Sequence, residues 1–499
     1  MVNVRIHLDR QDVGAFTNLD VVRGSVLLSL SSEENVAAIQ VKLEGISRTK
    51  FQVPKNPAKG EKGGMKTVIE SHKLLYITQD VFPPPDLQEL KETVNVGKDG
   101  YTLPPGSYSY PFSFRIPINN NCKAQSNVIS RFLDVPDETR HIITTLPPSF
   151  SEVEEGVIKY FFKVTVRKPK FYQRNARQLL PFVFLPIEPP RLAKSDALFY
   201  ARRKHSFFYL PNGGYAPADP KGQQPKKKSK FGSVLRAITS GSSRTTYTRE
   251  VGPAFYFEAR MPDARIIVPG ELIPLKLYIT APNSIHFTVP IFLHRLCINL
   301  VATTELMADI NRKTSVLMLN IANIENMSLK MGTSNQSRNQ QQDLEAEFNL
   351  AKWAEFLVLP DTVPPTFKTC NISRSYNLEV LADISHGSYG GIDTMELGFE
   401  IQVYSGIKPP DTLVQTSTGP FSPSPYAPVN VANADSEAGI VSYAAASDSK
   451  QDGSAAEMDP PTYSEAIASN IAPINGPRRA YQQGPSYFTG IEELDNEKS

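Results

Sequence analysis

Strict alternation of apolar and polar residues recurs along this chain and narrows what it can fold into. Ile158, Tyr160, Phe162, Val164 and Val166 occupy every second position, as do Tyr108, Tyr110, Phe112, Phe114, Ile116 and Ile118. Val22, Val26, Leu28 and Leu30 share one parity, and Ile39, Val41 and Leu43 form a further run. A period of two sends successive side chains to opposite faces of a strand, so each run has one apolar and one polar face. Half-buried strands of this kind belong to antiparallel sheets, and two such sheets bury their apolar faces most economically against each other. Proline clusters at Val53–Pro57, Phe82–Asp86 and Leu103–Gly106 separate the runs. One short helix, over Ala124–Arg131, is the most this region suggests.

The pattern then starts again. Phe255, Phe257 and Ala259 are followed by Ile273, Leu275, Leu277 and Ile279, then by Phe292, Leu296, Ile298 and Leu300. Tyr376, Leu378 and Val380 lead to Leu397, Phe399, Ile401 and Val403. The expected fold is therefore all-β, two tandem antiparallel β-sandwiches over residues 1–192 and 251–410. The polar segment Arg338–Asn349 reads as loop or edge.

Two stretches depart from the pattern. Residues 193–250 read as a basic, flexible inter-domain insert, because Lys221–Arg249 holds eight Lys or Arg and no acidic residue. Residues 411–499 are rich in Ser, Ala, Pro, Gly and Asn with few large aliphatics, so they bury too little apolar surface to offset chain ordering; a disordered tail is expected.

At 499 residues the chain has room for two to three domains. A net charge of +2 singles out no partner class, and nucleic-acid-binding signatures are absent. Cys122, Cys297 and Cys370 are odd in number, far apart and without a CxxC pair. They read as neither a disulfide framework nor a zinc site, and they suit a reducing compartment. Met1–Asp9 alternates like a strand with no signal-peptide core, and no run approaches the ~18 apolar residues of a membrane span. A cytoplasmic protein with peripheral membrane contact is expected, and export to the medium, as of a lectin-like sandwich, is disfavoured.

Catalytic and metal patterns are lacking. Gly60–Thr67 looks faintly like a phosphate loop, but Met65 stands where the second glycine is required. HExxH, GxSxG, GxGxxG and calcium-loop patterns do not occur. The seven histidines (His7, His72, His141, His205, His286, His294 and His386) do not cluster at ligand spacing. No catalytic residue, metal or cofactor is expected, and the chain does not read as an enzyme.

The tail carries Pro460-Pro461-Thr462-Tyr463. Paired prolines pre-set the polyproline helix, so docking into an aromatic-lined groove costs little entropy, and the tyrosine fills an adjacent pocket. With 41 Pro and 20 Tyr in the chain, chance supplies roughly 0.1 copies of PPxY. Pro460, Pro461 and Tyr463 are thus the candidate ligand of a WW domain, with Ala466 and Ile467 as an apolar extension. Pro423–Tyr426 keeps a proline beside tyrosine but lacks the spacing.

The basic stretch admits a second site. Phe231, Val234, Leu235 and Ile238 would form one stripe of a helix, surrounded by Lys226, Lys227, Lys228, Lys230 and Arg236. Such a helix can bind anionic lipid, at ~1 kcal/mol per basic residue, and phosphates on Ser229 and Ser233 would release it. The alternatives are a solvated linker or a nuclear-import signal.

Beyond periodicity, Leu103–Pro117, Leu146–Phe150 and Lys159–Val166 resemble successive strands of arrestin N-domains. Val268–Leu277 and Thr369–Leu378 resemble strands of arrestin C-domains, and the resemblance covers about 380 residues. The chain is most similar to the alpha-arrestins, called arrestin-related trafficking adaptors in fungi, which carry PPxY motifs after the C-domain. The resemblance implies an adaptor at the plasma membrane and endosomes. It would recruit a WW-domain HECT ubiquitin ligase to transporters or receptors as integral membrane cargo. Many members have two or more PPxY motifs; this chain has one clear copy, which removes avidity between tandem sites. The alternative is a ubiquitin-independent arrestin-fold scaffold in endosomal sorting.

Overall fold

The computed structural model describes residues 2–10, 14–55, 63–84, 100–122, 141–152, 155–191, 196–209, 215–216, 250–251, 254–281, 290–330, 344–387, 391–411, 471–474 and 478–490. The chain divides into two compact units: Met1–Pro190 with Lys368–Asn371 and Ile407–Ser499, and Arg191–Phe367 with Ile372–Gly406.

The first unit is built from β1 (Val2–Leu8), β2 (Val21–Leu30), β3 (Ala38–Pro54), β4 (Met65–Phe82), β5 (Gly106–Arg115), β6 (Gly156–Arg167) and β7 (Ala176–Phe182). β1, β2 and β5 form one antiparallel sheet, in register Ile6↔Val26 and Val26↔Tyr110. A second sheet has the order β7-β6-β3-β4, in register Leu43↔Phe162 and Val41↔Val164, with Phe150–Glu152 added against β6. The alternation sets the register, since a slip of one residue would turn every apolar side chain outward. Phe112 and Phe114 of the first sheet meet Phe162 of the second at ring-centroid distances of 5.8 and 6.1 Å. The unit is a sandwich, as the periodicity predicts. Gly45, beside a bulge in β3, leaves room for its register partner: a Cβ there would lie 2.6 Å from the Tyr160 ring.

β6 exceeds the expectation of one buried face, as does much of β3. Ile158, Tyr160, Phe162, Val164 and Val166 of β6 are buried, but so are Lys159, Phe161, Lys163 and Thr165 on the opposite parity. Phe161 clusters with Ile46 and Leu179.

The second unit comprises β8 (Leu198–His205), β9 (Phe255–Pro262), β10 (Lys276–Ala281), β11 (Ile291–Ala308), β12 (Asn311–Ile324), β13 (Leu344–Phe348), β14 (Ile372–His386) and β15 (Ile392–Val403). β8-β9-β10-β13 form one sheet and β15-β14-β11-β12 the path of the other. Their apolar faces share one core, with Phe199 of β8 against Phe399 of β15 at 5.4 Å.

Two sequence expectations need adjustment, and a third is resolved. The insert expected over 193–250 gives up Leu198–His205, which pairs residue for residue with β9. Phe199 and Ala201 pack on the core, Arg202 and Lys204 lie on the opposite face, and Arg203, on the core-side parity, donates to the Glu396 carbonyl; those charges hid the alternation. Within Arg338–Asn349, expected as loop or edge, Leu344–Phe348 is an edge strand, with Ala346 and Phe348 buried. The tail expected to lack structure over 411–499 includes residues 471–474 and 478–490, which pack within the first unit. The helix expected over Ala124–Arg131 lies outside the described residues.

Candidate metal centre and docked C-terminal segment

Two features of the first unit bring together side chains that are remote in sequence. The first is a cluster of His72, Cys122, His141 and Cys370, whose ligand atoms all lie within 4.8 Å of one another. β4 presents His72 on a rigid strand. Cys122 ends the stretch after β5, His141 opens the next described stretch, and Cys370 lies on the segment Lys368–Asn371 that belongs to this unit. Cys122 Sγ lies 3.5 Å from His72 Nδ1, 3.3 Å from His141 Nδ1 and 3.7 Å from Cys370 Sγ. All but His141 are buried, and His141 is half-buried.

Neighbouring groups orient these side chains. His72 Nε2 meets Glu70 Oε1 at 2.6 Å, and the two imidazole rings sit edge to face at 5.2 Å. The Ile142 N–H donates to Cys370 Sγ at 3.2 Å. Asn371 Oδ1 accepts from Ser47 Oγ at 2.6 Å, and its Nδ2 donates to Thr49 Oγ1 at 3.4 Å, which fixes the residue after Cys370 against β3.

The electrostatics follow from this packing. Burial disfavours the His72 imidazolium, but hydrogen bonds and charge from Cys370 and Glu70 outweigh it and raise the pKa to about 9. A hydrogen bond from Cys122 draws the Cys370 thiol down to about 4, against burial, with His72 and the Ile142 N–H adding to the effect. The Cys122 thiol is pushed up by the same hydrogen bond and by burial. A thiolate is favoured at Cys370, the form that ligates metals and reacts with electrophiles.

This cluster corrects the sequence reading of histidines that do not gather and cysteines unsuited to zinc. The four positions are separated by 50, 19 and 229 residues, so no local spacing signals them. Antiparallel folding alone makes them neighbours.

The second feature is the C-terminal segment. Arg478 forms a fork with Asp20, Nη1 to Oδ2 at 2.7 Å and Nη2 to Oδ1 at 2.6 Å, and donates to the Ala15 carbonyl at 3.1 Å. Its receiving loop is over-determined. The Thr17 N–H donates to Asp20 Oδ2, Asn18 Nδ2 donates to the carbonyls of Pro117 and Ile118, and the Ile187 N–H donates to Asn18 Oδ1. That network holds buried Leu19 at φ 67°, a strained value for leucine. Tyr481 is buried among Ala15, Leu19, Ile118, Leu185, Ile187 and Ile407 and donates to the Ser149 carbonyl at 2.6 Å.

A single helical turn, α1 (Pro485–Phe488), then seats Tyr487. Its hydroxyl donates to the Phe182 carbonyl at 2.8 Å, accepts from the Tyr160 N–H at 3.1 Å and meets Ser149 Oγ at 2.7 Å. Complete burial pushes its pKa up to about 12, although the hydrogen bonds with Ser149 and the Tyr160 N–H oppose the shift. Lys159 of β6 donates to the carbonyls of Ser486 and Thr489 at 3.3 and 2.5 Å, capping the turn. Ile471 and Ile474 pack on the same apolar cluster as Tyr481, and Arg115 donates to the Ile471 carbonyl.

The site residues expected from sequence fall elsewhere. Pro460, Pro461, Tyr463, Ala466 and Ile467, the basic residues Lys226–Lys228 and Lys230, the stripe Phe231, Val234, Leu235 and Ile238, the serines Ser229 and Ser233, and Pro423–Tyr426 all lie outside the described residues. Among the described residues no helix is long and apolar enough to cross a membrane.

Residues 4–183 match the family model of the arrestin (or S-antigen) N-terminal domain. The chain is also 28% identical over 183 residues to a protein of Lachancea thermotolerans named arrestin-related trafficking adapter 10, a match covering 33% of this chain. The chain spans 41% of the length of that curated relative.

Proposed function

We propose that this chain, a member of the alpha-arrestin family of fungal type, is a trafficking adaptor that brings a WW-domain HECT ubiquitin ligase to plasma-membrane transporters or receptors. The observation that carries the reading is Pro460-Pro461-Thr462-Tyr463 standing in sequence behind two β-sandwich units. A relative named as a trafficking adaptor supports it. The mechanism is proximity: the tail grips the ligase, the sandwiches meet the cargo, and a high effective concentration makes ubiquitin transfer selective for endocytosis and sorting. The adaptor itself does no chemistry. Its place of action would be the cytosolic face of the plasma membrane and endosomes, with Lys221–Ile238 against anionic lipid.

Capture of the full chain on an immobilised WW domain tests the reading. Tyr463 is the anchor, so Tyr463→Ala should weaken capture by about 30-fold, the equivalent of ~2 kcal/mol at an interface hot spot. Cargo internalisation should fail with it. Equal capture of the two forms would undo the ligase assignment. For the basic stretch, the full chain should sediment with vesicles containing phosphatidylserine and lose that preference when Lys226, Lys227 and Lys228 are neutralised; indifference to anionic lipid would remove that site.

A further inference from the structure

The cluster of His72, Cys122, His141 and Cys370 is more ordered than hydrogen bonding alone requires. A tetrahedral ion with metal–sulfur bonds of about 2.3 Å and metal–nitrogen bonds of about 2.0–2.1 Å has S···S edges of about 3.8 Å and S···N edges of about 3.5 Å. The observed Cys122–Cys370 separation is 3.7 Å, and the Cys122–His72 and Cys122–His141 separations are 3.5 and 3.3 Å. Three edges of one tetrahedron are therefore present to within about 0.2 Å. A disulfide does not account for this, since bonded sulfurs lie at about 2.05 Å and the two histidines would have no reason to converge.

The surroundings match as well. Both imidazoles turn Nδ1 inward, and His72 gives its other nitrogen to the Glu70 carboxylate at 2.6 Å, the carboxylate–histidine pairing that orients ligands around a metal. A backbone N–H from Ile142 points at Cys370 Sγ and stabilises negative charge there.

We infer that His72, Cys122, His141 and Cys370 form a structural zinc site of the Cys₂His₂ type in the arrestin N-domain unit. Two thiolates and two imidazoles suit zinc, and four protein ligands leave no open position for a substrate, so the role is structural. Such a site ties β4, the two ends of segment 123–140 and the segment Lys368–Asn371 into one knot. Because the ligands come from distant positions, closing those loops through the metal restricts the unfolded chain and couples zinc binding to folding.

Elemental analysis of the full chain, purified under reducing conditions without chelator, should find about one zinc per chain. Cys122→Ser and Cys370→Ser should each reduce that several-fold, whereas Cys297→Ser, which alters a buried thiol of the other unit, should leave it unchanged. Loading the zinc-stripped wild type with Co²⁺ supplies a reading that does not depend on variants folding. Tetrahedral ligand-field bands together with sulfur-to-cobalt charge transfer are expected, and zinc should displace them. Absence of bound zinc together with an octahedral cobalt spectrum would overturn the site, as would a Cys122–Cys370 disulfide in the protein as purified, or full zinc retention by both cysteine variants.

Discussion

The two sandwiches obey the same period-two rule, yet β6 of the first and β14 of the second treat their outer faces differently. β6 is buried on both parities, Lys159, Phe161, Lys163 and Thr165 included. On β14 the inner positions Tyr376, Leu378, Val380 and Ala382 are buried, while Ser375 and Asn377 are exposed and Glu379 is half-buried, with Glu379 accepting from Asn299 at 2.8 Å. The difference has identifiable causes. The turn over residues 485–489 meets Lys159 and Tyr160 of β6, and Phe161 joins Ile46 and Leu179. One face of a strand follows from its own sequence, whereas the other depends on what the rest of the chain lays over it.

The sharpest way to break this comparison is Phe161→Ala. A fully buried outer-face ring should cost about 3–5 kcal/mol, read as a drop in the denaturation midpoint of the first unit. A loss below about 1 kcal/mol would mean the face is covered only loosely. Next comes pH. Tyr487 is held neutral in the folded chain up to about 12, against about 10 unfolded. Its raised pKa means the unfolded state loses the proton first, so its contribution is intact below pH 10 and erodes between 10 and 12. The slope is about 1.4 kcal/mol per pH unit. Tyr487→Phe should remove that slope from thermal melts at alkaline pH and, by leaving the Phe182 carbonyl and Tyr160 N–H without it, cost about 1–3 kcal/mol at neutral pH.

Arg478→Gln is gentler, because the pair is partly exposed and Asp20 keeps the Thr17 N–H. About 1 kcal/mol is expected, with faster hydrogen exchange confined to 471–490 and the loop 14–20. Uniform exchange across the unit would show that the segment is not a separate cooperative piece. The smallest effect belongs to the second unit. Glu379→Ala on the outer face of β14 should cost about 0.5 kcal/mol in the same denaturation measurement. A loss equal to that of Phe161→Ala would erase the contrast.

How much of this was legible follows from where the forces reside. The inner faces were readable because burial imposes a local period, and Ile158–Val166 and Leu397–Val403 carry it plainly. Leu198–His205 was missed because Arg202, Arg203 and Lys204 made it look like part of a basic linker, though Phe199 and Ala201 kept the period. The docked segment was missed because Tyr481 and Tyr487 are isolated aromatics in a polar stretch, with no repeat to betray a partner surface. The zinc ligands were invisible for a stronger reason. Each sits on its own segment, and only the antiparallel pairing of β3 and β4 and the return of Lys368–Asn371 bring them within bonding range.

The seat of Ile471 sets a leash. Tyr463 lies eight positions before Ile471, and a fully extended chain over eight positions spans at most about 28 Å. In the proposed adaptor, a WW domain on Tyr463 would be held within that distance of the Ile471 carbonyl beside Arg115 of the first unit. A site tethered within that distance has an effective concentration on the order of millimolar. Under that proposal, the docked segment sets how far from the first unit a recruited ligase would be anchored.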